Sequence, residues 1–302
     1  MGSDPAGGSR ILSEQNAEAA QYRLRAMTVS HGRAQRLGNV RTGVSLLLAA
    51  SGLASALLPE LTLPATILGG LWAVAYSVGL TSWENNEARR AALLQELFDV
   101  RLFRLEWNSA MVGSPPTPQQ INSLSRRFRG DEAELWDYYE IPELPRPYDV
   151  LACQQQNLGW GARVRRRYAR TILTLMIAWL VMGLVVGLTA RMSVLDLLLL
   201  WYVPSLGAVM TGFDVCRTQW DVAAERERVM ALLEAMVVGD ADPAALLVFA
   251  RQVQDVIFQS RQRHTRVPNW FFSRFKNTDR ADFQAAMDHL QTLVGSTTPQ
   301  PS

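Results

Sequence analysis

Arginine side chains carry the most specific chemistry in this sequence. The chain has 30 basic residues, of which only Lys276 is a lysine. A guanidinium group presents parallel donors that match a phosphate or a carboxylate. Arginines cluster at Arg163, Arg165, Arg166 and Arg167. This cluster could grip phosphates, or it could mark the cytosolic side of a membrane protein, and the sequence leaves both interpretations open.

Other kinds of chemistry lack their residue patterns. The histidines His31, His264 and His289 lie far apart and form no metal-binding spacing. There is no phosphate-binding glycine loop, dinucleotide-binding motif or nucleophile elbow. Cys153 and Cys216 form no C-x-x-C pair, which fits a reducing cytosol. We therefore expect no enzymatic activity, no metal and no cofactor, and the net charge of +2 argues against binding of bulk nucleic acid.

Two long uncharged blocks organise the chain, at 42–83 and 171–213. A short polar break interrupts each block, at 59–64 and at 191–196. Each half is close to the roughly 20 residues that cross a bilayer as a helix. Core helices of a soluble protein are the alternative, but they rarely run this long without a charge. The sequence therefore predicts an all-α membrane protein with four transmembrane helices arranged as two hairpins.

Arginines lie at the open ends of both hairpins and are almost absent from the tips. Arg36 and Arg41 precede the first hairpin, Arg89 and Arg90 follow it, and Arg191 is the only basic residue at either tip. Basic residues stay on the cytosolic side of a membrane. Both tips should therefore face outward, and both termini should lie in the cytosol.

These boundaries divide the chain into segments along the sequence. They are a disordered N-terminus (1–10), a cytosolic leading helix (11–41), the first hairpin (42–83), a cytosolic middle segment (84–170), the second hairpin (171–213), a cytosolic helical tail (214–292) and a disordered C-terminus (293–302). We expect the middle and tail segments to pack together as a mainly helical domain. In the tail, Asp242-Pro243 and apolar periodicity predict a helix at 243–262. The aromatic segment Val267–Phe275 either belongs to the core of this domain or rests on the membrane surface.

Small and hydroxyl-bearing residues recur within the predicted spans at helical spacing. Small residues let helices approach closely, either within one bundle or between subunits. Hydroxyls could line a water path or bond to their own helix. The candidates for pore lining or helix packing are Ser45, Ser51, Ser55, Gly69, Thr174, Gly183, Gly187 and Asp196. A transporter is disfavoured because no charged residue lies at the middle of a span.

Short motifs surround the two hairpins in a definite order. Around the first hairpin these are Gln15-Asn16, Leu94-Gln95-Glu96-Leu97-Phe98-Asp99 and Leu105-x-Trp107-Asn108. Before the second hairpin they are Cys153-Gln154-x-x-Asn157-x-x-Trp160 and Arg165-Arg166-Arg167-Tyr168-Ala169. The tail carries Arg251-Gln252-x-Gln254-Asp255-x-Ile257-Phe258-x-x-Arg261 and Val267-Pro268-x-Trp270. With these motifs the chain resembles, from Ile11 to about Leu290, the S-4TM family of pore-forming effectors.

The resemblance implies a bacterial anti-phage effector of the CBASS type, which breaches the inner (plasma) membrane when a cyclic oligonucleotide reaches it. The partners it implies are the lipid bilayer, further copies of the chain in a homo-oligomer, and that cyclic oligonucleotide. The candidates for trigger binding are Arg126, Arg127, Gln154, Asn157, Arg165 and Arg166. The alternative is a non-conducting, membrane-anchored scaffold or receptor for a cytosolic protein partner.

Overall fold

The computed structural model describes residues 10–55, 58, 60, 62–75, 79, 81–239, 241–262 and 267–297. The regular structure within these ranges is helical throughout, and no strand occurs in them. This confirms the predicted all-α class.

Eleven α-helices follow one another along the described chain. They are α1 (Arg10–Glu14), α2 (Glu18–Ser55), α3 (Thr62–Ala75), α4 (Thr81–Phe103), α5 (Ser109–Val112), α6 (Pro118–Ser125), α7 (Tyr148–Thr189), α8 (Val194–Leu197), α9 (Val203–Val238), α10 (Pro243–Gln262) and α11 (Asn269–Thr297). A 3₁₀ turn at Glu132–Leu135 follows α6, and a π-helical turn at Leu198–Tyr202 connects α8 to α9.

Three of these helices join a polar half to an apolar half without a break. Helix α2 runs from the predicted leading helix into the first apolar block, and α7 runs from the middle segment into the second. Helix α9 returns from the second block into the tail and packs along α7. Because a continuous helix is stiff along its axis, a shift of its polar half is passed to its apolar half.

The helices outside the apolar blocks share one hydrophobic core, and we call them the helical domain. Helix α4 lies against α2, α10 packs on α4, α7 and α9, and α11 packs on α7. The core draws side chains from the middle segment and from the tail, among them Phe98, Tyr139, Leu151, Leu233 and Ile257, each at most 1% exposed. Each large apolar side chain of this kind contributes about 1.5–3 kcal/mol by leaving water.

Local sequence signals account for several of the helix ends. Thr117 and Gln120 form a capping box at the start of α6, and Gly239 follows the last residue of α9. Helix α10 begins at Pro243 and ends at Gln262, the bounds that the sequence predicts. Helix α11 continues through Thr297 into the segment predicted as disordered, and Val294 there is 5% exposed. Packing against the core therefore holds this end of the helix in place.

The apolar segments expose many large hydrophobic side chains. Leu47 and Leu188 are each 71% exposed, and Leu195 is 64% exposed. Among the described residues one helix, α7, is long and apolar enough to cross a membrane by length and composition. Undescribed residues interrupt the first block, and the π turn divides the fourth predicted span. The arrangement of four spans in two hairpins therefore stays a prediction.

Candidate functional site

A connected set of polar side chains lies inside the helical domain, and we call it the buried polar network. It consists of Glu96 and Asp99 of α4, Tyr139 from the segment before α7, Gln154 and Asn157 of α7, and Arg251, Gln254, Asp255 and Arg261 of α10. Glu96, Asp99, Gln154 and Gln254 are fully buried. Buried charges are costly unless they are paired and hydrogen-bonded, so the contacts within this network decide whether the domain is stable.

Asp99 is the centre of the network. Nη1 of Arg261 lies 2.7 Å from its Oδ2, and the Tyr139 hydroxyl donates to its Oδ1 at 2.6 Å. Nε2 of Gln254 donates to Oδ2 at 3.0 Å. Nδ2 of Asn157 donates in turn to the Tyr139 hydroxyl at 2.8 Å. Three donors therefore surround one carboxylate, and they tie α4 to α7 and α10.

Glu96 forms the second carboxylate centre, one helical turn before Asp99. It accepts from Nη2 of Arg251 and from Nε2 of Gln254, each at 2.8 Å. Burial raises the pKa of Glu96, and the hydrogen bonds from Arg251 and Gln254 oppose that rise. Arg251 also pairs with Asp255 at 2.8 Å, so this guanidinium joins two acidic groups.

The spacing of these residues explains why they meet. Glu96 and Asp99 are three residues apart on α4, as are Gln154 and Asn157 on α7. Residues three or four apart share one face of a helix, and each of these pairs lies on the face that packs into the core. The charged members of the network were not among the site residues predicted from the sequence. Polar residues on the buried face of an amphipathic helix are the signal that could have identified them.

Burial also shifts the pKa values of several groups in and beside the network. Burial raises the pKa of Tyr138, a neighbour of Tyr139, to about 12, and it also raises the pKa of Tyr139. Burial raises the pKa of the Cys153 thiol well above its ordinary value. A protonated, enclosed thiol is a poor nucleophile. Arg261 behaves differently: burial lowers its pKa, but Asp99, together with the smaller effects of Tyr139, Tyr138 and Glu96, raises the pKa overall.

A buried arginine, Arg226 of α9, extends the network toward the second apolar block. It is 6% exposed and donates to the carbonyl of Asn157 and to Oγ of Ser260, each at 2.8 Å. Among the described residues it has no carboxylate within ion-pair distance, and its Nε has no partner. Burial, followed by the charges of Arg165 and Arg261, lowers the pKa of Arg226 well below its usual range. The charge of Glu225 offsets this only in part, so the guanidinium lies buried without a directly paired carboxylate among the described residues.

Beyond Arg226, α7 and the chain entering α9 are tightly packed. A β-carbon added at Gly183 would lie 2.4 Å from Nε1 of Trp201, and one added at Gly187 would lie 2.9 Å from Cδ2 of Leu197. The rings of Trp179 and Trp201 stack with centroids 4.6 Å apart. The π turn that places Trp201 here immediately precedes α9, where Pro204 has no N–H to donate to the preceding turn.

The sequence profile of the SMODS-associating 4TM effector domain matches residues 9–290. This chain belongs to that family. The match confirms the resemblance drawn from the motifs. A probable CBASS effector molecule of Bacillus cereus (strain VD146) is 25% identical over 276 residues, which cover 87% of this chain and 92% of the relative. No solved structure matches the chain. Family membership supports a role as an effector in anti-phage defence, and the four-transmembrane description suggests a membrane protein.

The residues predicted to line a pore or pack helices lie in several different environments in the effector. Gly183 and Gly187 are buried against the same chain, whereas a β-carbon at Gly69 would meet no atom within 4 Å. Oγ of Ser51 donates to the carbonyl of Leu48 in its own helix at 2.9 Å. Thr174 and Asp196 are exposed, and Asp196 accepts from the Ser193 hydroxyl at 2.6 Å. The side chains of Ser45 and Ser55 lie outside the described part of the chain.

The candidates for trigger binding do not converge on one surface of the effector. Gln154 and Asn157 belong to the buried polar network. Nη1 of Arg165 donates to Oε1 of Gln219 at 2.6 Å, and Arg166 forms a bidentate pair with Glu227 at 3.0 and 2.6 Å. Arg126 and Arg127 are exposed on the turn that follows α6. No group of three or more potential metal ligands occurs in the ranges that the structure describes.

Proposed function

We propose that this effector permeabilises the bacterial inner membrane when a cytosolic trigger, a cyclic oligonucleotide, binds its helical domain during anti-phage abortive infection. In this proposal four helices cross the membrane as two hairpins, with both termini in the cytosol. Copies of the chain assemble into a homo-oligomeric pore. The effector uses no cofactor and catalyses no reaction. The name of its relative, a probable CBASS effector molecule, supports the same pathway.

The observation that carries this proposal is the continuity of α7 and α9. Both helices pass from the buried polar network into the second apolar block. Arg226 lies between them, buried and without a directly paired carboxylate among the described residues. A ligand that favours a second arrangement of the network therefore favours a second arrangement of the apolar block.

The exposed apolar faces support contact with lipid. Ile67 and Leu71 of α3 are 53% and 64% exposed, and Leu175 and Val181 of α7 are 60% and 53% exposed. Soluble monomers rarely expose contiguous apolar surface on this scale. In a bilayer the same side chains lie in a favourable medium.

Contacts at the base of the second block support a cytosolic position for α11. Asp279 of α11 is 3% exposed and pairs with Arg163 at 3.4 Å and with Arg167 at 2.7 Å. Phe271 packs edge-on against Tyr168 with centroids 5.2 Å apart. Helix α11 is thus fixed to the turns of α7 that immediately precede the uncharged stretch.

Dye release from vesicles tests the proposal. The purified full-length effector would be reconstituted in vesicles of phosphatidylethanolamine and phosphatidylglycerol that contain a self-quenched dye. We expect a cyclic oligonucleotide to cause release, and protein-free vesicles to stay intact. Absence of release with cyclic di-AMP, cyclic GMP–AMP and cyclic tri-AMP, together with unchanged membrane potential in cells that express the effector and are supplied with these nucleotides, would rule out the pore.

One observation favours the scaffold alternative, because Trp270 of α11 is 69% exposed. A partner protein could dock on this ring. The scaffold hypothesis predicts that Trp270→Ala abolishes protection from phage, whereas Gly183→Leu has little effect. The pore hypothesis predicts that changes at both positions reduce protection.

A further inference from the structure

A solvent-open cavity of about 410 Å³ lies where α4 ends. Its walls include Leu97 and Arg101 of α4, Arg104 and Trp107 from the following segment, and Pro115. Cavities of roughly 300–1,000 Å³ are typical of small-ligand sites. None of the residues that have been placed in the buried polar network lines this cavity, so it is a separate feature of the helical domain.

The cavity carries an excess of positive charge. Arg101 forms no ion pair with the described residues, and no acidic side chain lines the cavity. Arg104 pairs with Glu14 at 3.1 Å, but Glu14 is also bonded to Arg10. Burial, followed by the charge of Arg101, lowers the pKa of Arg23. Two arginines therefore line the cavity, and only one of them, Arg104, has a carboxylate partner, which favours an anionic ligand.

The cavity also presents an aromatic ring in a fixed position. Nε1 of Trp107 donates to the carbonyl of Gly113 at 2.7 Å, which anchors the indole. Indole rings stack on the flat faces of nucleobases, whatever the base. Guanidinium groups bind phosphate through paired donors. We propose that this cavity binds one nucleotide unit of the trigger, with the base on Trp107 and the phosphate on Arg101 and Arg104. This inference rests on the proposed function, in which a nucleotide is the signal.

The cavity is connected to the buried polar network by hydrogen bonds. Nη1 of Arg251 donates to the carbonyl of Glu106, next to Trp107, at 3.0 Å. Nδ2 of Asn108 donates to Oδ2 of Asp255 at 2.9 Å. Arg251 holds Glu96, and Ser260 on the same helix holds Arg226 of α9. A ligand that repositions the 104–108 segment therefore acts on α10, and through α10 on α9.

Equilibrium binding to the full-length protein in detergent micelles tests the inference. The probes are radiolabelled cyclic di-AMP, cyclic GMP–AMP and cyclic tri-AMP, with unlabelled inorganic phosphate as competitor. We expect at least one probe to bind, and both Arg101→Glu and Trp107→Ala to weaken it by roughly tenfold or more. Trp107→Phe keeps an aromatic face and should retain most of the affinity. Arg228→Glu, an equal change of charge on an exposed arginine of α9 outside the cavity, is the matched control.

Three other results of this experiment would contradict the inference. Binding that survives Arg101→Glu and Trp107→Ala, or that is lost in Arg228→Glu, would place the ligand elsewhere. Failure of all three probes to bind the wild-type protein would exclude this nucleotide site. Complete competition by phosphate at the concentration of the nucleotide would show a simple anion site. Circular dichroism and thermal unfolding of each variant establish that the fold is intact.

Dye release separates this inference from the proposed function. A nucleotide that binds in the cavity but causes no release would refute the pore and leave the site standing. Nucleotide-triggered release that persists in Arg101→Glu at wild-type concentrations would refute the site and leave the pore standing.

Discussion

A β-carbon added at Gly161 of α7 would lie 1.8 Å from Nη1 of Arg226 of α9. The guanidinium thus occupies space that only glycine leaves open, and it is held there by the Asn157 carbonyl and the Ser260 hydroxyl. This contact sets how closely α7 and α9 approach before both helices enter the second apolar block. It therefore connects the packing of the helical domain to the arrangement of the apolar helices.

Gly161→Ala should destabilise the effector by about 1–3 kcal/mol, the usual cost of overpacking a core. The guanidinium cannot move aside without losing its two buried hydrogen bonds. Arg226→Met removes a buried charge that has no directly paired carboxylate, and we expect it to be neutral or stabilising by itself. In the double variant, Gly161→Ala should cause much less loss of stability, as measured by thermal unfolding in detergent. If the change in stability of the double variant equals the sum of the two single changes, this account of the contact is wrong.

Asp99→Ala should be among the most damaging single changes in the helical domain. It leaves the Arg261 guanidinium buried without its carboxylate, a situation that typically costs about 3–5 kcal/mol. Glu132→Ala breaks an exposed pair with Arg25, in which the glutamate side chain is 61% exposed, and should cost about 1 kcal/mol or less. Denaturant unfolding of the two variants side by side gives the comparison. Similar costs for both would mean that the buried polar network contributes little to stability.

Gly183→Leu and Gly69→Leu form a matched pair of changes within the apolar blocks. The leucine at position 183 must displace Trp201, whereas a β-carbon at position 69 meets no atom within 4 Å. We expect Gly183→Leu to lower the temperature of unfolding and to reduce dye release, and Gly69→Leu to leave the temperature of unfolding unchanged. Equal thermal stability of the two variants would show that the Gly183–Trp201 contact is absent in the membrane.

Thiol labelling reports movement of α9 against α7. Cys216 is 1% exposed and its Sγ lies 3.3 Å from the Ala169 carbonyl of α7. Cys153 is fully buried in the core of the helical domain. We expect both thiols to label slowly with a maleimide at rest, and the activating nucleotide to accelerate labelling of Cys216 alone. Labelling that stays slow while dye is released would mean that this interface does not open.

The stability of the effector should fall at alkaline pH through Tyr138. Its pKa is raised by burial from 10.0 to about 12. Between these values the unfolded state has lost the phenolic proton and the folded state still holds it. The stability that the neutral Tyr138 phenol contributes is therefore fully present below pH 10.0, and it is lost as the pH rises towards about 12. Tyr138→Phe should flatten the fall in unfolding temperature over this window, and an unchanged slope would argue against a buried phenol.

Local chemistry in the sequence determined the helices and the apolar blocks. Pro243 and Gly239 mark helix ends because their backbone constraints act within one turn. The uncharged stretch that precedes Arg191 identified α7 as apolar through its composition alone. The motifs around the hairpins identified the family in the same way, since each motif is a short run of neighbouring residues.

Only the tertiary structure decided which polar residues face one another. Asp99 and Arg261 are 162 residues apart in sequence, and nothing in either helix specifies the other as its partner. The same holds for Arg226, whose lack of a carboxylate depends on what α7 and α10 place around it. The spacing of residues on a helix fixes a face, but the neighbour of that face is set by how the helices pack. For this reason the charged members of the buried polar network, and the cavity beside Trp107, became visible only once the chain was folded.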